Sequence, residues 1–192
     1  MSELEYWERR YSQGGDSGFG SIGQHREWKW YIIKGYEKDI DDVIDVGCGD
    51  LRFWEGRDCQ KYTGIDISQT IIERNKLARP HWNFICANIR DFLSLKGKVV
   101  LCIDVLYHIA STEDFVSTIQ NLVKYTTDWL FIYTMISNPF FPKDTDGLYQ
   151  FFRPLSLVRP ILEKELILLA ICRTPFDINS GFFIFRRKIG GT

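Results

Sequence analysis

The chain has 192 residues, about one and a quarter times the roughly 150-residue prior for a domain, so one compact unit with an appended segment is expected rather than two domains. At 45% hydrophobic, 26% charged and 15% aromatic, it has ample material for a core and is not a disordered, collagen-like or low-complexity chain. Its 24 Lys and Arg against 25 Asp and Glu leave a net charge of -1, which disfavours a partner gripped mainly by its phosphates, so no nucleic acid is expected.

The longest apolar run, Leu166 to Cys172, is far short of the ~20 residues needed to cross a bilayer. Met1 to Arg10 is charged and helix-like, unlike a secretory signal. The expectation is a cytoplasmic protein without a membrane partner. The five cysteines, Cys48, Cys59, Cys86, Cys102 and Cys172, contain no C-x-x-C pair and read as small buried thiols. The histidines, His25, His81 and His108, lie far apart in the chain, so no metal site is expected.

In chain order, Leu4, Trp7 and Tyr11 mark one helical face, and Trp30, Ile33 and Ile40 with Tyr36 mark another. Between them Gly14 to Gly23 is glycine-dense and carries one exposed-looking Phe19. It is read either as a floppy connector or as a lid that folds over a ligand. Residues 1–40 are therefore set apart as a helical, glycine-rich lid segment, and 41–192 as the main domain.

From there short apolar runs alternate with longer polar or amphipathic stretches, the mark of repeated βα units. The strands are expected at Val43–Val46, Tyr62–Asp66, Asn83–Cys86, Val99–Asp104, Trp129–Thr134, Leu166–Cys172 and Phe182–Arg186. Ser68 caps a helix from Gln69 to about Arg79, which Pro80 stops. Ser111, with Asp114 three residues on, starts a helix whose stripe is Phe115, Val116, Ile119, Leu122 and Val123. The last two strands are joined by Arg173–Gly181, too short for a crossover helix, and should pair antiparallel. The expected fold is α/β: a seven-stranded sheet of five parallel strands plus an antiparallel edge pair, with helices on both faces.

The loop from Ile136 to Arg153 carries Phe140, Phe141, Tyr149, Phe151 and Phe152. Loops of this length are usually functional. Its aromatics either form an apolar or sugar-stacking cleft or pack as satellite core, and Lys143 and Arg153 either meet an acidic substrate or stay solvated.

The most informative stretch is Val43-Ile44-Asp45-Val46-Gly47-Cys48-Gly49-Asp50, a strand entering a Gly-x-Gly turn that lets a ligand approach the backbone. Arg52 stands where a dinucleotide fingerprint needs its third glycine. Asp45 and Asp50 flank the turn, repelling a diphosphate and favouring a cationic or amino-bearing ligand. At the end of the second strand, Thr63-Gly64-Ile65-Asp66 places a carboxylate where it can accept both hydroxyls of a ribose. A nucleoside bearing a positive group instead of a pyrophosphate describes S-adenosylmethionine.

These segments resemble the class I S-adenosylmethionine-dependent methyltransferases. Val43–Asp50 resembles the family's glycine motif, and Gly64-Ile65-Asp66-Ile67-Ser68 its ribose-binding acidic motif. Cys86-Ala87-Asn88-Ile89-Arg90-Asp91 resembles its adenine-holding segment, with Asn88 where Asp is commoner. Ile103-Asp104-Val105-Leu106-Tyr107-His108 resembles the motif after its fourth strand, closest to small-molecule members. The resemblance implies a Rossmann-like sheet in residues 41–192. It also implies S-adenosyl-L-methionine as cofactor, held by Asp45, Gly47, Cys48, Gly49, Asp66, Ile67, Asn88, Ile89 and Asp104.

Methyl transfer from a sulfonium needs positioning in a dry pocket and no covalent intermediate. An alcohol or protonated amine acceptor also needs a base, for which His108 is the candidate; otherwise His108 packs the pocket wall. Asp104 points to the methionine end of the cofactor or to the acceptor, or else caps the turn. Tyr107, Tyr11 and His25 are weaker candidates to orient substrate. The expected activity is transfer to oxygen or nitrogen of a small-molecule or sugar-like acceptor. A protein methyltransferase and a non-catalytic binding module are the rivals, and a nicotinamide oxidoreductase is the least favoured. No Asn-Pro-Pro-Tyr-like segment follows the fourth strand, which counts against adenine or glutamine-amide methylation.

Overall fold

The computed structural model describes residues 2–137 and 150–189. Its strands are β1 (Asp42–Val46), β2 (Lys61–Asp66), β3 (Asn83–Cys86), β4 (Gly97–Ile103), β5 (Thr126–Met135), β6 (Leu166–Arg173) and β7 (Ser180–Arg187). They form one sheet in the order β3-β2-β1-β4-β5-β7-β6. β1 to β5 pair in parallel, and β7 runs antiparallel to both β5 and β6. The seven expected strands are all present. The hairpin places β7 inside, against β5, and leaves β6 at the edge. β4 stops one residue early, because Asp104 leaves the strand in the left-handed region at φ 61.

The helices are α1 (Glu3–Ser12), α2 (Gly23–Tyr36), α3 (Gln69–Ala78), α4 (Thr112–Tyr125) and α5 (Arg159–Glu165). Local chemistry sets their starts. Ser111 accepts the Asp114 N–H at 3.1 Å and Ser68 accepts the Ile71 N–H at 3.3 Å, two of the orphan donors at a helix start. Ser2 and Glu5 form a reciprocal capping box on α1. Phe115, Ile119 and Leu122 of α4 are buried, as the apolar stripe requires.

Each sheet face has its own core. α4 and α5 cover Ile44, Val46, Val100, Cys102, Leu130 and Ile132. α2 and α3 cover Val43, Val99, Leu101, Phe131 and Ile184. The β1–β2 connection contributes no α-helix: residues 47–60 hold only a 3-10 turn at Arg52–Trp54, with left-handed Leu51 (φ 60) and Gly56 (φ 73) on either side. A parallel sheet must be covered on both faces. Here α2, which precedes the sheet in the chain, fills the gap. Its Trp30 stacks on Phe53 with ring centres 4.8 Å apart and donates its Nε1–H to the Phe53 carbonyl at 2.7 Å.

Some expectations are corrected. Leu4 is exposed, and the inward face of α1 is Glu3, Trp7 and Tyr11, which keep the i, i+4, i+8 spacing that Leu4 breaks. Tyr36 is at the surface at the end of α2, its ring 6.1 Å from that of Trp129, and Ile40 is buried but lies beyond the helix. Cys86 is exposed and Cys172 half-buried rather than buried; all five thiols are free. Among the described residues no helix is long and apolar enough to cross a membrane.

If α2 is a structural layer of the core, Ile33→Ala, at a site with no solvent exposure, should lower unfolding stability by about 2–5 kcal/mol. Urea denaturation checks this; a loss below about 1 kcal/mol would make α2 a loosely attached segment.

Candidate active site

The turn after β1 is held from two sides. The Gly47 and Cys48 N–H groups both donate to the Ile65 carbonyl of β2, at 2.8 and 3.0 Å. Asn75 of α3 donates to the Gly49 carbonyl at 2.7 Å. Gly47 (φ 77) and Gly49 (φ 53) take conformations that L-residues avoid. A Cβ would drive Gly47 into Val105 and Gly49 into Ser17.

Asp66, at the tip of β2, accepts the Gly49 N–H on one oxygen at 2.9 Å and the Ser68 N–H on the other at 3.0 Å. Burial pushes its carboxyl up to about 6, against the lowering effect of those bonds. Asp45 of β1 is also buried and pushed up to about 6, although one of its oxygens accepts from Trp54 Nε1 at 2.8 Å and Tyr62 OH at 2.9 Å.

The ten residues expected to hold the cofactor or act in catalysis come together. Asp45, Gly47, Cys48, Gly49, Asp66, Ile67, Asn88, Ile89, Asp104 and His108 line one cleft of about 770 Å³, open solvent included, at the carboxyl ends of β1, β2 and β4. The place is where open α/β sheets bind ligands.

The rest of the wall includes residues that the sequence did not single out, beside Tyr11, a weaker candidate to orient substrate. Glu3, Trp7 and Tyr11 from α1 and Ser17 and Ser21 from the glycine-rich segment also line the cleft. That segment is pinned. Ser17 donates its N–H to the Asp50 carboxylate at 3.0 Å and accepts the Asp50 N–H at 2.9 Å, with Tyr11 OH 3.2 Å from its hydroxyl. Asp16 meets Arg52 at 2.5 Å. α1 is fastened by Glu8, which accepts from the Ser68 hydroxyl at 2.6 Å and from Thr70 at the start of α3, where a negative charge suits the helix dipole.

Asp104 is the most committed of the acids. One oxygen pairs with the ammonium of Lys29, and the other accepts from Tyr107 OH at 2.9 Å. Lys29 of α2 is buried, donates also to the Gly20 carbonyl at 2.9 Å and sits 4.0 Å from the Tyr133 ring centre. The sequence offered no signal for this pair, because a lysine in an amphipathic helix ordinarily faces water.

His108 lies in the 3-10 turn Leu106–His108, is buried, and meets Trp7 edge-on with ring centres 4.9 Å apart. Tyr107 is half-buried and donates its hydroxyl to Asp104. Tyr11 reaches the cleft, whereas His25 sits between Phe19 and Phe176 with ring centres at 4.8 and 4.4 Å, outside the cleft wall. Arg153 donates to the Ile109 and Ala110 carbonyls, tying the chain to the segment after His108. The aromatics at 140, 141 and 149 and Lys143 lie outside the described residues. Phe151, beyond them, donates its N–H to the Tyr107 carbonyl at 2.6 Å.

Residues 44–126 match the family model described as a methyltransferase domain. A search of curated proteins finds no match. Among solved structures, the N-methyltransferase NodS from Bradyrhizobium japonicum WM9, in complex with S-adenosyl-L-homocysteine, is 17% identical, with 97% of this chain and 99% of that one covered and a TM-score of 0.72. Magnesium protoporphyrin IX methyltransferase from Synechocystis PCC 6803, with bound SAH, is 19% identical over 96% and 94%, with a TM-score of 0.65. An amino pentose methyltransferase from Micromonospora echinaspora is 12% identical over 85% and 90%, also at 0.65. These likenesses establish a shared Rossmann-like fold. Over residues 44–126 the chain is similar to a methyltransferase domain, set within that fold.

Truncating Lys29 should leave Asp104 as an uncompensated buried charge. Lys29→Met is therefore expected to cost about 3–5 kcal/mol of unfolding stability, and Lys29→Met/Asp104→Asn to recover more than half of it. Chemical denaturation of the two variants checks the pair; equal losses in both would mean that the two groups are not coupled.

Proposed function

We propose that the protein is an S-adenosylmethionine-dependent methyltransferase that transfers a methyl group to oxygen or nitrogen of a small acceptor. The observation that carries the cofactor is the sign of the cleft. Its wall holds five carboxylates, Glu3, Asp45, Asp50, Asp66 and Asp104, and among the described residues no Lys or Arg side chain. Such a wall repels a diphosphate and attracts a ligand carrying a sulfonium and an ammonium. The residues fit the group: Asp66, already oriented by two backbone N–H groups, has lone pairs left for ribose hydroxyls. Gly47 and Gly49 leave the turn without side chains.

In this reading Asp66 and Ile67 hold the ribose, Asn88 and Ile89 the adenine, and Asp45, Gly47, Cys48 and Gly49 the methionine end. S-adenosylmethionine, when bound, supplies an activated methyl group on a good leaving group. The chain's task is to place the acceptor against it and exclude water. Asp104, paired with Lys29 and Tyr107, fixes the turn after β4 and the cofactor's methionine end, with its charge neutralised so that the cationic ground state is not over-stabilised. His108, four residues on and walled by Trp7, takes the proton from the acceptor oxygen or nitrogen. Residues 1–40 act as the cover of the site. The small-acceptor reading draws on the near-neutral charge and on the likeness to an N-methyltransferase and an amino pentose methyltransferase.

Calorimetry should find binding of S-adenosylmethionine and none of NAD, and Asp66→Ala should weaken the former by about 1–3 kcal/mol through lost charge-assisted bonds. Preference for NAD, or an unaffected variant, would overturn the assignment. With an amine or sugar acceptor that supports turnover, His108→Ala should reduce kcat about 100-fold, and a loss below threefold would return His108 to packing.

A further inference from the structure

Four of the five carboxylates in the cleft are already satisfied: Asp45 by Trp54 and Tyr62, Asp50 by Ser17, Asp66 by two backbone amides, and Asp104 by Lys29 and Tyr107. Glu3 is the fifth, and among the described residues no donor reaches its carboxylate. It belongs to the first turn of α1, one turn before Trp7 and two before Tyr11, so it faces inward by helix geometry. Glu8 and Tyr11 fasten α1 in that orientation.

Its surroundings make the position costly. Burial comes first, then the nearby charges of Asp114 and Asp66, with Arg90 only partly offsetting them; together they push the Glu3 carboxyl up to about 7. Arg90 is already paired with Asp114 at 2.8 Å. An unsatisfied acid beside two others is destabilising in the empty protein, and a hydrogen-bond donor on a ligand would relieve it. The neighbours also say which part of a ligand lies there. Glu3 lines the cleft together with Asp66 and Asn88–Ile89, and the charges of Asp66 and of Arg90, the residue after Ile89, act on it.

We propose that Glu3 is a ligand-binding residue whose carboxylate accepts a hydrogen bond from the nucleoside part of the cofactor, a ribose hydroxyl or the exocyclic amine, reaching it from α1. The proposal rests on the cofactor reading above and adds to it a contact that the chain's glycine and acidic motifs do not contain. The ionised form is the acceptor, so a bound nucleoside lowers the carboxyl's proton affinity, and ligand affinity rises with pH through about 7 and levels off only from about 8 upward. The other groups facing this end are Asp66 on β2, Asp114 on α4, Arg90 after β3 and His108 in the turn after β4. Asp66, also raised, contributes a separate step near 6.

The test uses the full chain and two probes that need no acceptor, S-adenosylhomocysteine and 5′-methylthioadenosine, titrated calorimetrically at pH 6, 7 and 8 into wild type, Glu3→Ala and Glu3→Gln. Glu3→Ala should lose about 10-fold in affinity for both probes at pH 8 and much less at pH 6, as expected for one charge-assisted hydrogen bond. Glu3→Gln, which keeps the shape and an acceptor oxygen, should lose the rise between pH 7 and 8. A change below twofold in Glu3→Ala at pH 8, or a loss confined to S-adenosylhomocysteine, overturns the proposal. If Glu3→Ala melts early, Glu3→Gln decides: a flat profile above pH 7 supports the contact and a wild-type profile overturns it. Failure of the wild type to bind either probe would strike at the cofactor reading instead.

Discussion

The missing helix between β1 and β2 governs much of this molecule. A parallel strand pair leaves both faces apolar, and the turn Arg52–Trp54 is too small to bury one of them. α2 closes that face with Trp30 and Ile33, and so the chain must enter the sheet from its own flank. The glycine-rich segment just before α2 then crosses the carboxyl edge of the strands, where Ser17 meets Asp50 and Gly20 meets Lys29. What a reader of the sequence takes for an appendage is in this way both core and site wall.

The same arrangement sets the electrostatics. Crowding acids at one sheet edge raises Asp45, Asp66 and Glu3 above their ordinary values, and burial is the leading cause for each. Those groups would be better hydrated in the unfolded chain, so the empty site detracts from stability. Backbone amides, an indole, a phenol and one buried lysine compensate some of the acids. A positively charged ligand compensates further, which links binding to the cost of building the site.

Much of this was legible in the sequence, for a physical reason. The strands show as apolar runs, α3 and α4 show through Ser68 and Ser111 at their starts, and the hairpin shows because Arg173–Gly181 is too short for a crossover. Each is a local signal. The ten residues singled out around the Gly-x-Gly turn share one cleft because they sit at consecutive strand ends, a place that strand order alone defines. Contacts across long stretches of chain were not legible. Lys29 meets Asp104 seventy-five positions away, and Ser17 meets Asp50 thirty-three away. Neither pair leaves a periodicity. Leu4 misled because an apolar residue on a short helix suggests the buried side, whereas the cleft takes the polar Glu3 face of α1 instead.

Of the six tryptophans in the chain, Trp7 is the one in the cleft wall, its indole against the His108 ring and 5.7 Å from that of Tyr11. Trp28, Trp30, Trp54, Trp82 and Trp129 belong to or pack against the core beneath α2 and α3. The protein therefore carries its own optical probe at the mouth of the site, set against a steady background of indoles sheltered elsewhere. Occupancy becomes readable as light emission without any attached dye.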